Sequence, residues 1–210
     1  MLDIVTLILG PVQTNAYLAA DTETKEAALI DPAWDGEAIL AEAAKRGWRI
    51  DQLWITHAHF DHFGGAGAVA RGCSPPPGVA LHPDDTLLWQ MQGGAALFGM
   101  HIDSPPQPTV VLQHGQVLRL GGVAFEVRHA PGHSPGHVIF YCAEEKLAFC
   151  GDVIFRSGIG RTDLPGGDYD MLIASIRKQV FTLPDETRLL TGHGPATTVG
   201  LEKADNPFFE

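Results

Sequence analysis

Seven side chains of metal-binding types lie in four short segments of this chain, and any fold must account for them first. Imidazole and carboxylate groups bind Zn²⁺ or iron at neutral pH, and a hydrolytic centre needs coordination positions left over for water. Together these side chains suffice for two metal ions. They are His57, His59, Asp61 and His62 in one segment, followed by His133, Asp152 and His193.

The alternative interpretation is a set of unrelated histidines. The chain has ten histidines in 210 residues, and a lone histidine is more often a satisfied or exposed residue than a ligand. However, residues 57–62 alone contain three imidazoles and a carboxylate. Clustering these groups is costly unless a metal or a dense hydrogen-bond network compensates. We therefore interpret the segment as a metal-binding motif.

The spacing within this motif predicts two centres. Residues 51–56 are typical of a buried strand, so His57, His59 and Asp61 leave its end at intervals of two. Such intervals turn side chains to the same side of an extended backbone. Asp61 and His62 are adjacent, and we expect their side chains to diverge toward different centres.

The composition predicts one domain over residues 1–210, with no affinity for nucleic acid or membranes. A chain of 210 residues buries roughly 70% of its unfolded surface, which is enough for one core. The net charge is −11, whereas binding to phosphates or anionic lipids needs a basic face.

Residues 1–6 are typical of a strand, not an export signal, and three cysteines fit a reduced compartment. We therefore expect a cytoplasmic location, as a monomer or homodimer.

Hydrophobic periodicity predicts runs of strands flanked by helices, which favours sheets covered by helices over a doubly wound parallel sheet. An irregular tail is expected at the end. The predicted strands are 2–9, 15–20, 26–31, 51–56, 79–82, 116–120, 123–129, 137–142, 146–151 and 186–191, and the predicted helices are 36–46, 61–69, 83–92 and 168–180.

The long segment 93–108 is apolar for a loop. It either lines a site, with Phe98, Met100 and His101 as candidates, or is an ordinary packed loop.

A series of short motifs extends over nearly the whole chain in a specific order. They are QTNAY at 13–17, ALIDP at 28–32, THAHFDH at 56–62, PGHSPGH at 131–137, GDVIF at 151–155, GIGRTD at 158–163 and GHG at 192–194. With these motifs the chain resembles the metallo-β-lactamase superfamily, and within it the short bacterial hydrolases similar to glyoxalase II.

The resemblance implies an α+β fold, an αββα sandwich of two mixed β-sheets flanked by helices, with the site at one edge between the sheets. It also implies two divalent metal ions, with zinc as the first choice and iron or manganese as alternatives. The first ion would be held by His57, His59 and His133, and the second by Asp61, His62 and His193. Asp152 would bridge the two ions, and Asp61 and Asp152 would be the catalytic carboxylates.

The implied reaction is hydrolysis of a small anionic thioester such as S-lactoylglutathione, or of a related ester, by a hydroxide that bridges the metals. His137 is then expected to support the ligands, and Asn15, Tyr17 and Asp31 to brace the loops that bear them. The remaining histidines, His82, His101, His114 and His129, lie outside the ligand positions of the resemblance.

The expected substrate contacts depart from the glyoxalase II pattern. Arg161 keeps a basic position that follows the bridging Asp152, but Asp163 and Pro195 stand where the pattern has tyrosines. The chain is also expected to have no C-terminal helical extension that binds glutathione. Arg161 is therefore either a substrate contact or a structural partner of Asp163 or Asp168.

Two other reaction classes remain open. Persulfide dioxygenases share the GRTD motif and hold one iron by two histidines and an aspartate, which here would be His57, His133 and Asp152. A lactonase would share both metals and differ in the pocket. We favour the hydrolase because Asp61, His62 and His193 complete a second set of ligands.

Overall fold

The computed structural model describes residues 1–209, and it contains two six-stranded sheets. In the first sheet the strands follow chain order, with antiparallel pairing as far as β3 and parallel pairing from β3 onward. Its strands are β1 (Leu2–Leu9), β2 (Thr14–Asp21), β3 (Glu26–Ile30), β4 (Arg49–Trp54), β5 (Gly78–Leu81) and β6 (Val110–Val111).

The second sheet is also mixed. Its strands are β7 (Val117–Leu120), β8 (Val123–His129), β9 (Val138–Cys142), β10 (Leu147–Gly151), β13 (Arg188–Thr191) and β14 (Thr197–Thr198). Two short strands, β11 (Ile154–Phe155) and β12 (Gly158–Ile159), form a separate two-stranded sheet. The spatial order is β14-β13-β10-β9-β8-β7. Only the pairing of β10 with β13 is parallel among these strands of the described chain.

Short helices cover the outer faces of the two sheets. The α-helices are α1 (Gly36–Arg46), α2 (Phe60–Phe63), α3 (Ala66–Gly72), α4 (Thr86–Gln90), α5 (Tyr169–Ser175) and α6 (Val199–Asp205). Two further segments, Pro83–Asp85 and Gln92–Phe98, are 3₁₀ helices, and Ile176–Val180 is a π-helix. None of the helices in residues 1–209 has the length and apolar character needed to span a membrane.

Three apolar clusters separate the four layers. Because side chains alternate along a strand, neighbours such as Leu53 and Trp54 of β4 face different clusters. The first cluster lies between α1, α3 and the first sheet, the second lies between the sheets, and the third lies between the second sheet and α5 and α6. These layers confirm the predicted αββα sandwich.

Two predicted elements were wrong in detail. The helix expected over 61–69 is divided into α2 and α3, because Gly64 and Gly65 are poor helix formers and the Gly65 amide donates instead to the Pro32 carbonyl, at 2.8 Å. The expected irregular tail contains α6. The Thr198 hydroxyl caps this helix by accepting from the Leu201 amide, a capping signal that the hydrophobic pattern does not reveal.

Trp54 is the largest fully buried side chain of the cluster between the sheets. Its ring centroid lies 5.0 Å from that of Phe125 and 5.3 Å from that of Phe140, both on the second sheet. Trp54 therefore joins the two sheets.

We predict that Trp54→Ala lowers the free energy of unfolding by about 3–5 kcal/mol, because a large buried side chain is replaced by a cavity. Urea unfolding measures this change. Val117→Ala is the control: Val117 is 54% exposed, and a change within about 0.5 kcal/mol is expected. Equal losses in the two variants would contradict the role of Trp54.

Candidate metal centre

All seven candidate ligands converge at one edge of the sandwich, just beyond strand ends. Residues 57–62 follow β4, His133 lies in the connection between β8 and β9, Asp152 follows β10, and His193 follows β13. Here β4 belongs to the first sheet and the other strands belong to the second. The site is therefore assembled from both sheets.

The first group of ligands, cluster 1, consists of His57, His59 and His133. The Nε2 atom of His133 lies 3.1 Å from Nε2 of His57 and 2.9 Å from Nδ1 of His59. All three side chains are buried. Three ring nitrogens thus face a common point, as the ligands of one metal ion do.

The second group, cluster 2, consists of Asp61, His62 and His193. The Oδ2 atom of Asp61 lies 3.4 Å from Nε2 of His62 and 3.3 Å from Nε2 of His193. The hydroxyl of Thr14 donates to the same Oδ2 atom at 2.8 Å and so fixes the carboxylate. This group also meets the geometric requirement for one ion.

Asp152 lies between the two clusters. Its Oδ2 atom is 3.6 Å from Nε2 of His133 in cluster 1 and 3.5 Å from Nε2 of His193 in cluster 2. Its Oδ1 atom is 3.4 Å from Nε2 of His62. One carboxylate therefore reaches both groups of imidazoles.

Two buried atoms among the candidate ligands lack ordinary hydrogen-bond partners. Nε2 of His62 and Oδ1 of Asp152 are both buried and neither has a hydrogen-bond partner among the described residues. Leaving such atoms unpaired is costly. A cation between a nitrogen lone pair and a carboxylate oxygen would satisfy both, so the residues present fit a metal ion.

The imidazoles of the two clusters differ in their ionisation. In cluster 1, burial lowers the pKa of His59 to about 3 and also lowers the pKa values of His57 and His133. These rings are neutral at pH 7, which is the form that binds metals.

In cluster 2, burial again opposes the charged imidazoles, but carboxylates outweigh it. The charges of Asp152, Asp61 and Asp31 hold the pKa of His62 well above its usual value. Asp152 and Asp61 likewise raise the pKa of His193 to about 9. The same carboxylates would favour a metal cation beside these rings.

Asp31 orients ligands of both clusters. Its Oδ2 atom lies 2.9 Å from Nδ1 of His62 and accepts a hydrogen bond from the Thr56 hydroxyl at 2.7 Å. That hydroxyl is also 3.1 Å from Nδ1 of His57. A carboxylate at the far nitrogen fixes the ring and increases its basicity. This contact agrees with the bracing role expected for Asp31.

The other supporting residues hold the backbone around the ligands. Asn15 donates to the carbonyls of Thr191 and Gly194, each at 2.9 Å, and the Tyr17 hydroxyl donates to Thr191 at 2.7 Å. These bonds fix the turn that carries His193.

His137 and Gly192 lie directly beside Asp152. Nε2 of His137 accepts from the Asp152 amide at 3.0 Å, so His137 supports a ligand as expected. A Cβ atom at Gly192 would lie 2.1 Å from Oδ1 of Asp152 and 2.7 Å from the His62 ring. Only glycine allows the backbone to approach the ligands this closely.

Asp85 is a structural residue of the site that the sequence did not reveal. Its buried carboxylate accepts from the Ala58 amide at 2.8 Å, the Ser134 hydroxyl at 2.8 Å and the Gly136 amide at 2.6 Å. It thereby joins the loop of His57 and His59 to the loop of His133. No local pattern identifies such a residue, because its partners are far away in the sequence.

The other histidines lie outside the two clusters. The rings of His82 and His129 stack with centroids 4.1 Å apart, and His129 bonds to the Pro135 carbonyl through Nε2 at 2.9 Å. His82 and His129 approach Asp84 closely enough to form a further geometric group. However, the nitrogen lone pairs of His82 and His129 lie in the planes of their rings. Because the two rings are stacked, these planes are nearly parallel and the lone pairs do not converge on one ion.

A cavity of about 460 Å³, the main cavity, opens over the metal ligands. Phe98 lines it, as predicted, but Met100 and His101 do not; His101 borders a different cavity. Arg161 also lines the main cavity. The apolar members that sequence reasoning did not identify are Val12, Phe60, Phe155, Ile159 and Leu164.

Arg161 has two roles in the structure. Its carbonyl accepts from Nδ1 of His133 at 2.7 Å, and its guanidinium forms two hydrogen bonds of 2.7 Å to Asp163. The hydrogen bonds from Arg161 lower the pKa of Asp163 to about 2. The guanidinium is half exposed, so it can still meet a ligand in the main cavity.

Comparison with known proteins identifies the family. A model of the metallo-beta-lactamase superfamily matches residues 9–193. The chain belongs to this superfamily. It is 40% identical to hydroxyacylglutathione hydrolase GloC of Haemophilus influenzae over 93% of this chain and 92% of that relative. The match confirms the prediction of a metallo-hydrolase.

Solved structures support the same fold. The crystal structure of BLEG-1 B3 metallo-beta-lactamase is 39% identical and has a TM-score of 0.89, covering 100% of this chain and 99% of that one. The crystal structure of TTHA1623 in a di-iron-bound form is 41% identical with a TM-score of 0.88, covering 97% and 99%. The ligand clusters and this di-iron relative together indicate divalent metals.

We predict that Asp85→Ala lowers the free energy of unfolding by about 3–5 kcal/mol, because it leaves three buried donors without their acceptor. It should also weaken metal binding roughly 10–100-fold, since both ligand loops lose their connection. Thermal unfolding and metal titration measure the two effects. The exposed neighbour gives the control Asp84→Ala, and equal behaviour of the two variants would exclude this role for Asp85.

Proposed function

We propose that this protein is a binuclear metal-dependent hydrolase of thioesters or related esters, similar to glyoxalase II. The observation that carries the proposal is the position of Asp152. Its carboxylate lies within 3.6 Å of a ring nitrogen in cluster 1 and within 3.5 Å of one in cluster 2. Such an arrangement suits a bridge between two ions.

In this proposal cluster 1 would hold one ion and cluster 2 the other, and Asp152 would be the ligand that they share. When bound, two divalent ions lower the pKa of water toward neutrality and attract a polarised carbonyl. The donor set of imidazoles and carboxylates accepts zinc, iron or manganese. Zinc is our first choice, and the di-iron relative makes iron the main alternative.

The residues of the chain position the reactants. Asp61 and Asp152 are the proposed catalytic carboxylates. The Thr14 hydroxyl holds the Asp61 carboxylate, and Nε2 of His137 holds the backbone of Asp152 by accepting from its amide. Phe155 and Leu164 supply apolar walls of the main cavity. With both ions bound, their charge would outweigh that of the two carboxylates, so the floor of the main cavity would be positive and would favour an oxyanion.

The proposed substrate is a small anionic thioester or ester. The name of the relative from Haemophilus influenzae points to a hydroxyacylglutathione, and Arg161 supplies a cation in the wall of the main cavity. A cytoplasmic location and a monomeric or homodimeric state belong to the same proposal. The cytoplasmic location rests on the three free cysteines, which fit a reduced compartment.

The test combines metal analysis with four substrates. We expect two metal ions per chain and hydrolysis of S-lactoylglutathione or a simple acyl thioester, followed by release of the free thiol. Glutathione persulfide, a lactone and a cephalosporin are the comparison substrates, chosen for the persulfide dioxygenase, lactonase and β-lactamase classes. Oxygen consumption with the persulfide and one iron per chain would overturn the hydrolase proposal.

We predict that Asp152→Ala lowers metal content below two ions per chain and removes most hydrolysis, about 100-fold or more, because the shared ligand is lost. Metal analysis and initial rates measure the effects. His101→Ala, at an exposed residue outside both clusters, is the control and should change neither quantity. Two ions per chain and near-normal turnover in Asp152→Ala would contradict the proposed bridge.

We predict that Arg161→Ala lowers kcat/KM for an anionic thioester about 10–100-fold, as expected when a charge-assisted hydrogen bond is lost. A small neutral ester should keep its rate. Asp163→Ala is the matched variant. It frees the Arg161 guanidinium and should raise kcat/KM for the anionic thioester. Equal losses on both substrates with a lower melting temperature would assign Arg161 to structure alone.

A further inference from the structure

A second cavity, the side cavity, adjoins the metal centre. It has a volume of about 220 Å³ and lies between α4, the 3₁₀ helix Gln92–Phe98 and residues 164–166. Four residues, His59, Gly93, Phe98 and Leu164, line both the side cavity and the main cavity. The side cavity therefore continues the main cavity from the cluster 1 side.

The walls of the side cavity are apolar and partly open to solvent. Leu87 is 67% exposed, Met91 59% and Leu97 70%, and all three line the side cavity. Exposed large apolar side chains that surround a concavity beside a reactive centre are typical of a ligand site. Their exposure also means that the fold does not depend on them.

Gly93 keeps this apolar segment close to the metal ligands. Its φ is +62°, and a Cβ atom there would lie 2.2 Å from the Phe60 amide nitrogen. Phe60 follows His59 directly, and its ring lies 5.4 Å from that of Phe98. The glycine thus allows the 3₁₀ helix to rest on the ligand loop, so the side cavity opens beside His59.

Charge distinguishes the two cavities. The main cavity has Arg161 in its wall, whereas no lysine or arginine lines the side cavity in the described chain, and Asp84 stands at its rim. An anionic group is favoured near Arg161 and disfavoured near Asp84. A polar or anionic thiol portion therefore suits the main cavity, and an uncharged portion suits the side cavity.

We propose that the side cavity binds the apolar acyl chain of the substrate, so that the protein prefers thioesters of medium-length unbranched acids. This inference rests on the proposed thioester hydrolysis. In that reaction the oxygen of water forms a bond to the carbonyl carbon and the C–S bond breaks. The sulfur leaves with the bonding electrons and takes up a proton, which yields the carboxylic acid and the thiol.

The first measurement compares acyl chain lengths on one neutral thiol, with the metal-loaded protein. Acetyl, butanoyl and hexanoyl thioesters of N-acetylcysteamine are the probes. We expect kcat/KM to rise about fourfold for each added methylene, which is the effect of burying one such group. A flat or falling series from acetyl to hexanoyl would overturn the proposal.

The second measurement changes the walls. Leu87→Glu and Leu97→Glu place a charge in the side cavity at exposed positions, and both should remove the preference for hexanoyl over acetyl. Leu201→Glu is the control, because Leu201 is an exposed leucine near the start of another helix, α6. A preference for hexanoyl that survives in both cavity variants would overturn the assignment.

The third measurement does not depend on turnover. Calorimetric titration of the metal-loaded protein with acetate and hexanoate compares the product acids directly. Hexanoate should bind at least tenfold more tightly than acetate, and Leu87→Glu should abolish the difference. If no thioester is hydrolysed but this difference is found, the proposed reaction fails and the apolar site stands. Equal affinities for the two acids would overturn the apolar site, whatever the rates.

Discussion

The accumulation of negative charge around His62 is the constraint on which the rest of the structure depends. Asp31, Asp61 and Asp152 all act on this fully buried imidazole and raise its pKa. Carboxylates this close together repel one another, and burial removes the water that would stabilise them. Such a group is stable only with positive charge among them. The surrounding structure serves to hold these acids together and to keep a cation there.

The sandwich supplies the rigidity for this arrangement. The ligands occupy loops beyond β4, β10 and β13, and the strands themselves are fixed by the apolar cluster between the sheets. Buried hydrogen bonds then fix the loops. Asp31 bonds to His62, and Asp85 joins the loop of His57 and His59 to the loop of His133. A site on loops can be precise when every loop is bonded to its neighbour. Here the supporting carboxylates make those bonds.

The sequence predicts the ligands better than it predicts the cavities around them. His57, His59, Asp61 and His62 form a local motif, so residue type and spacing are sufficient to mark them. Asp85 and the lining residues Phe155 and Leu164 have no such signal, because their roles arise only when distant segments meet. The same limit explains why the prediction of one continuous helix over 61–69 was wrong. Its apolar pattern continues through Gly64 and Gly65, whereas the contact of Gly65 with Pro32 is tertiary.

Chemistry and recognition are carried by different parts of the fold. The metal ligands lie on loops that connect the central strands, and a change there alters the charge balance of the whole site. The surfaces that we propose for substrate recognition lie on α4, on the 3₁₀ helix Gln92–Phe98 and on the segment that carries Arg161 and Leu164. Leu87 and Leu97 are exposed, so replacing them costs little stability. Changes in the side cavity should therefore alter the proposed substrate preference while the candidate metal centre stays intact, since the two depend on separate interactions.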